Sequence, residues 1–171
     1  KNNKVSFKDL CAVAISGGPG SYTGLRIGTS VAKGLCYSLN IPLISVSTLF
    51  SMSSAVKKIH SDCIYCPMVD ARRMEVYTAL YDNNLNFILK PAPVILEPEL
   101  FNNYLNKYKI YFFGDGALKF KKIINHANAN FIVDFFPSAR FMSERAYVKY
   151  NKSDFVDIAY YEPDYLKEFY F

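Results

Sequence analysis

The chain has 171 residues, 51% of them apolar when Tyr and Cys are counted and 20% charged, and its 20 Lys and Arg against 15 Asp and Glu give a net charge of +5. Disorder requires low hydrophobicity, and a membrane helix requires about 18 or more nearly uncharged apolar residues in a row, so neither class fits. The basic excess comes from fifteen Lys and only five Arg, scattered along a chain rich in Asn, Tyr and Phe. Without clustered Arg forks, a dedicated nucleic-acid face is not the expectation.

The length suits one medium domain or two small subdomains. Residues 10–16 form a continuous apolar run bounded by glycines, as a strand covered on both faces requires. The numbering starts at Lys1 without an initiator Met, and a fragment or a shortened chain is the expectation. Gly17, Gly18, Pro19 and Gly20 break the run. Residues 22–40 then place Leu25, Gly28, Ala32, Leu35 and Leu39 on one helical stripe, with Ser21 or Thr23 as the cap and Asn40 and Pro42 as the stop. A second buried strand follows at 42–47 and a second helix at 48–59.

From residue 62 the pattern changes. Strand-like runs at 64–70, 75–81 and 86–96, joined by short polar turns, predict an antiparallel meander. Helix 99–108, strand 109–113, helix 118–127, strand 131–135 and a helical stretch at 138–149 complete the chain. The expectation is two related α/β units, 1–61 and 62–171, of which the first lacks an opening meander.

The loop 16–21 precedes a helix N-terminus, where exposed N–H groups favour an anion. Gly18, Gly20 and Ser21 are therefore candidate anion-binding residues, although Thr23 stands where the dinucleotide fingerprint needs its third glycine. The alternative is a tight turn and close helix packing. Glycine within a helix costs about 1 kcal/mol relative to Ala, so Gly24, Gly28 and Gly34 call for a neighbour, either internal or on a partner. Asp70 and Arg72 sit at a charged hairpin tip, where they either hold water, metal or phosphate or are simply solvated. Gly114 and Gly116 flank Asp115 in a turn that resembles a nucleotide contact, but the carboxylate would repel phosphate.

Four cysteines, with no signal peptide apparent, predict free thiols in a reducing cytoplasm. Cys63 and Cys66 are three apart in a strand and point to opposite faces, which disfavours a shared metal. The two histidines form no metal pattern, and no nucleophile elbow appears.

The run from Ser16 through Gly17, Gly18, Pro19, Gly20, Ser21, Tyr22, Thr23, Gly24, Leu25, Arg26 and Ile27 to Gly28 closely resembles the bacterial TsaB family, also called YeaZ. Residues 32–35, 40–48, 70–77, 114–117 and 163–167 continue the resemblance in order. It implies an α/β fold of the actin, sugar kinase and Hsp70 type (ASKHA), with duplicated subdomains, the first here lacking its N-terminal strands and helix.

The resemblance further implies a cytoplasmic, non-catalytic subunit that dimerises with the TsaD transferase, which forms N6-threonylcarbamoyladenosine at position 37 of tRNAs reading ANN codons. The helix at 22–39 would meet that partner through Ser21, Thr23, Gly24, Leu25, Gly28, Ala32 and Leu35, or form a homodimer when alone. A TsaE-like ATPase is a further implied partner, and tRNA is reached through the complex. No metal or resident cofactor is implied beyond ATP or ADP at the partner interface. An autonomous nucleotide-dependent phosphotransferase of the same superfold is the alternative, and a glycopeptidase has no supporting motif.

Overall fold

Two parallel strands and a five-stranded mixed sheet organise the chain in the computed structural model, which describes residues 5–60 and 63–167. The unit boundary expected near residue 61 falls on residues outside that description. A short 3-10 turn at Phe7–Asp9 leads to strand β1, Val13–Ser16. Helix α1, Tyr22–Leu39, starts at the Ser21 cap and ends at Asn40, whose left-handed backbone closes the last turn. Strand β2, Leu43–Val46, lies parallel to β1, with Val13 opposite Leu43 and Ser16 opposite Val46. Helix α2, Thr48–Lys57, is capped by the Ser47 side chain.

Strands β3 (Ile64–Asp70), β4 (Glu75–Tyr81) and β5 (Phe87–Ile95) form the expected meander. After helix α3, Asn102–Leu105, strand β6 (Ile110–Phe113) pairs parallel to β3. Helix α4, Ala117–Lys121, connects it to β7, Ala129–Ile132. The sheet order is β5-β4-β3-β6-β7, so β1 and β2 repeat the parallel β6-β7 half of the larger sheet. The edge of β6 that corresponds to the outer edge of β1 is taken by β3; the β1 edge carries no strand among the described residues.

Both faces of the large sheet are covered. One holds Phe101, Phe112 and Phe120, all essentially inaccessible, with ring centroids 5.0–5.6 Å apart. The other packs Tyr65, Val69, Tyr81 and Phe113 against Leu49, Met52 and Val56 of α2, so a helix that follows the first sheet seals the second. Cys66 joins the first cluster and Cys63 the second, as the two-residue strand period requires.

The C-terminal part does not stay with the larger sheet. A 3-10 turn at Ala139–Phe141 and helix α5, Ser143–Asn151, place Met142, Ala146 and Tyr150 against Ile44 and Val46. Val156 then bonds to Leu43, Tyr161 to Ser45, and the Asp164 N–H to the Gly17 carbonyl at 2.8 Å. Residues that the chain order assigns to the second unit thus cover the first sheet. An apolar layer is needed there because β2 would otherwise expose its outer face.

Candidate functional site

The glycine loop after β1 is tied into the fold by its backbone. The Gly17 N–H donates to the Val46 carbonyl at 2.8 Å, and the Thr48 N–H donates to the Gly18 carbonyl at 2.9 Å. Gly18 has φ 106°, and a Cβ there would collide with the Asp164 carbonyl. Its glycine is required both by the left-handed backbone and by the returning C-terminal segment. Gly20 and Ser21 line an adjoining cleft, and Ser21 Oγ accepts a hydrogen bond from the Gly24 N–H at 3.3 Å.

The cleft has a volume of about 510 Å³ and runs along the open edge of β1. Its walls are the first half of α1, the start of α2, Asp115, and the segment around Ala139 and Met142. Ser16 and Thr48 hydroxyls bond to each other at its floor. Thr29 also lines it, only 7% exposed, with Oγ1 making no hydrogen bond.

The remaining anion candidates are differently employed. A Cβ on Gly114, at φ 103°, would strike the Met68 carbonyl, and one on Gly116 would lie 2.7 Å from a Val76 methyl. The Gly116 N–H donates to the Met68 carbonyl at 3.1 Å. Both glycines therefore let the turn after β6 press against β3 and are already filled. Asp70 accepts from the Arg72 N–H at 2.6 Å and pairs with Lys119 at 2.6 Å, while Asp115 Oδ1 accepts the Asp70 N–H at 3.0 Å. The charged hairpin tip is thus a capped turn. Gly20, Ser21 and Asp115 meet at the cleft; Gly18, Gly114, Gly116, Asp70 and Arg72 do not line it. With Asp115 facing the cleft and the turn glycines occupied, these residues do not fit a polyphosphate.

On α1 the sequence stripe splits. Ala32 is 3% exposed and packs with Cys36 and Leu43, so it faces the chain's own core and is unavailable to a partner. That corrects its expected role: apolar residues three and four apart first serve the sheet beneath them. Leu25 is half-buried and lines the cleft. Gly24 and Gly28 also border the cleft, and on the outward side they adjoin the half-buried Leu35 together with Ile27 and Val31, which are 61% and 59% exposed. A Cβ at Gly28 or Gly34 would meet nothing within 4 Å. Internal close packing therefore does not account for them. Ile27 and Val31 escaped the sequence reading, although their four-residue spacing beside Gly24 and Gly28 marks a second helical stripe.

Duplicated α/β units with a cleft at the strands' carboxyl ends define the actin, sugar kinase and Hsp70 class of architecture. The chain belongs to the family described as TsaD, tRNA N6-adenosine threonylcarbamoyltransferase, whose model matches residues 1–160. Similar curated proteins include the tRNA threonylcarbamoyladenosine biosynthesis protein TsaB of Bacillus subtilis strain 168, 41% identical over 86 residues, covering 50% of this chain and 37% of the relative. TsaB of Escherichia coli K12 is 37% identical over 97 residues, 56% of this chain and 42% of its own. TsaB of Haemophilus influenzae is 27% identical and covers 97% of this chain and 74% of its own. The chain thus spans less than half the length of the first two relatives. Among solved structures, YeaZ from Pseudomonas aeruginosa superposes with a TM-score of 0.75 at 23% identity, over 95% of this chain and 77% of that one. The resemblance to TsaB and the α/β fold expected from it agree with these findings. Among the described residues, no helix is long and apolar enough to cross a membrane.

Proposed function

We propose that this chain is the non-catalytic partner of a TsaD-like transferase in forming N6-threonylcarbamoyladenosine on tRNA. The observation that carries this reading is the outward face of α1. Ile27 and Val31 stand exposed beside Gly24 and Gly28, and a Cβ at Gly28 would meet nothing within 4 Å, while at Gly24 only the Ser21 cap is near. Exposed aliphatic residues flanking glycine allow a second helix backbone to approach closely while burying apolar surface.

The occupant is a transferase of related fold. A threonylcarbamoyltransferase of Clostridioides difficile is 40% identical to this chain over 58 residues, 34% of the chain and 17% of the relative. Two chains sharing one architecture pack like faces across a pseudo-twofold axis, the arrangement that most readily makes a surface self-complementary. The same face would join two copies of this chain when the transferase is absent. The proposal assigns no nucleotide to this chain, because Asp115 faces the cleft and the turn glycines are filled.

The test is the modified-nucleoside content of tRNA from bacterial cells depleted of their own TsaB and supplied with this chain. Restored threonylcarbamoyladenosine supports the reading. Its absence in cells that accumulate folded protein, or product formed by the purified chain without a transferase, refutes it.

A further inference from the structure

A second opening lies at the other end of the larger sheet. The glycine-loop cleft takes Val69 and Asp115, at and beyond the carboxyl ends of β3 and β6. A hollow of about 760 Å³ takes Ile64 and Lys109, where the same two parallel strands begin. Its other walls are the turn after β4, with Asp82, and the turn that continues α3, with Tyr104, Lys107 and Tyr108. The Tyr104 carbonyl accepts the Lys107 N–H at 3.0 Å and the Tyr108 N–H at 2.9 Å, so the chain stays helical there and sets both rings on one face. The volume is that of a nucleotide site.

The two openings differ in charge. Asp115 is the one charged residue lining the cleft and repels phosphate. Lys107 and Lys109 line the hollow, and both are exposed. The four ion pairs among the described residues use Lys58, Lys119, Lys149 and Lys167 instead. Lysine near a helix end often answers the last carbonyls, but the ammonium groups that bond carbonyls among the described residues are those of Lys33, Lys119 and Lys149. Asp82, the acid of the hollow, is already occupied. It accepts from the Asn84 and Asn86 N–H groups, each at 2.8 Å, and from the Asn86 amide at 3.1 Å, and the Lys57 charge acts on it as well. The two ammonium groups are thus left for an anion from outside, and Tyr108 stands 54% exposed between them in the chain.

We infer that this hollow holds a nucleotide of a single-stranded RNA segment, with phosphate on Lys107 and Lys109 and a base on Tyr108. An ammonium takes phosphate as a point charge, and a base stacked on an aromatic ring adds affinity without selecting sequence. In a duplex the bases are paired and stacked on each other, which leaves Tyr108 without a partner. The inference rests on the tRNA-modification reading and deepens it, since it gives this subunit its own contact with the RNA.

The experiment measures fluorescence anisotropy of a labelled single-stranded oligoribonucleotide, and of a blunt RNA duplex of the same length, against the full chain. Expected is single-strand binding tighter than duplex binding. Lys107→Gln with Lys109→Gln should weaken it about tenfold and lower the salt slope by about 1.4, for two lost phosphate contacts. Tyr108→Ala should weaken it by at least about fivefold with the slope unchanged, and Tyr108→Phe, which keeps the ring, should bind as wild type. The control, Lys8→Gln with Lys152→Gln, removes two exposed lysines that line neither opening and should stay within about twofold. AMP is the competitor that separates a free nucleotide from a strand, and it should displace the RNA only at far higher concentration. No single-strand binding by the wild type, equal duplex binding, unaffected hollow variants, an equal loss in the control pair, or displacement by AMP at the strand's own concentration would overturn the inference. Complex formation with the transferase is read in parallel. If it persists while RNA binding proves absent, this inference falls and the partner role stands.

Discussion

Ser45 Oγ and the Tyr161 hydroxyl lie 2.8 Å apart, joining β2 to a segment 116 positions later in the chain. With the Asp164 N–H on the Gly17 carbonyl, this bond clamps the C-terminal segment over the glycine loop. Tyr161→Phe should cost about 1 kcal/mol, the net worth of one part-buried hydrogen bond. Urea denaturation measures the loss, and proteolytic cleavage after residue 152 should become faster than in the wild type.

Gly28 and Gly114 should respond in opposite directions to the same substitution. Gly28→Ala adds a methyl to open space on a helix and should stabilise the isolated chain by about 0.5–1 kcal/mol. Gly114→Ala forces a side chain into left-handed backbone against the Met68 carbonyl and should destabilise by more than about 1 kcal/mol. Thermal melts of the two variants give the comparison.

Phe112 is fully buried and packs with Phe101, Phe120 and Phe131. Truncating it to Ala should cost about 3–5 kcal/mol, because the surrounding rings cannot all collapse into the space. The denaturation midpoint should fall with little change in the slope of the transition.

Burial pushes the Cys66 thiol up from its ordinary 9.0 to about 12, partly offset by the Thr78 hydroxyl 3.2 Å away. The folded state therefore holds this proton more firmly than the unfolded chain. Its contribution is intact below about pH 9 and is lost as pH rises toward 12. Stability measured at pH 8 and pH 10, as points about one unit either side of the ordinary thiol value, should fall between them, and Cys66→Ser should flatten that fall.

Two strands of the meander were legible to the residue, and the third, expected at 86–96, is one residue shorter at each end. Ile64–Asp70 and Glu75–Tyr81 are apolar runs ended by charge, and α1 is bounded by Ser21 and Asn40. Shorter elements were not. The helices expected over 99–108 and 118–127 shrink to Asn102–Leu105 and Ala117–Lys121, because Asn- and Lys-rich stretches supply too few apolar contacts to extend them. Strand β7 lies at Ala129–Ile132 instead of 131–135; Phe135 instead leaves the sheet and packs on Phe113 and Phe141. The C-terminal return was invisible, since it is made by hydroxyl and backbone bonds that leave no periodic signature.

On α1, the spacing of Leu25, Ala32 and Leu35 marks one stripe, but the structure divides it: Ala32 serves the core, Leu25 the cleft, and Leu35 lies on the outward side. Hydrophobic spacing records burial without saying against what, so the neighbouring stripe of Ile27 and Val31 was overlooked. The turn glycines were equally ambiguous, because a phosphate and a packed carbonyl both demand a missing side chain. Only the Met68 carbonyl against Gly114 distinguishes them.

Association with a transferase is the most direct measure of the outward face of α1. Analytical gel filtration of this chain mixed with a TsaD-like transferase should show one co-eluting complex. Gly28→Leu, with a thermal melt no lower than wild type, should elute separately from it. Co-elution of the folded Gly28→Leu variant at wild-type strength, or no complex with the wild-type chain, would contradict the account.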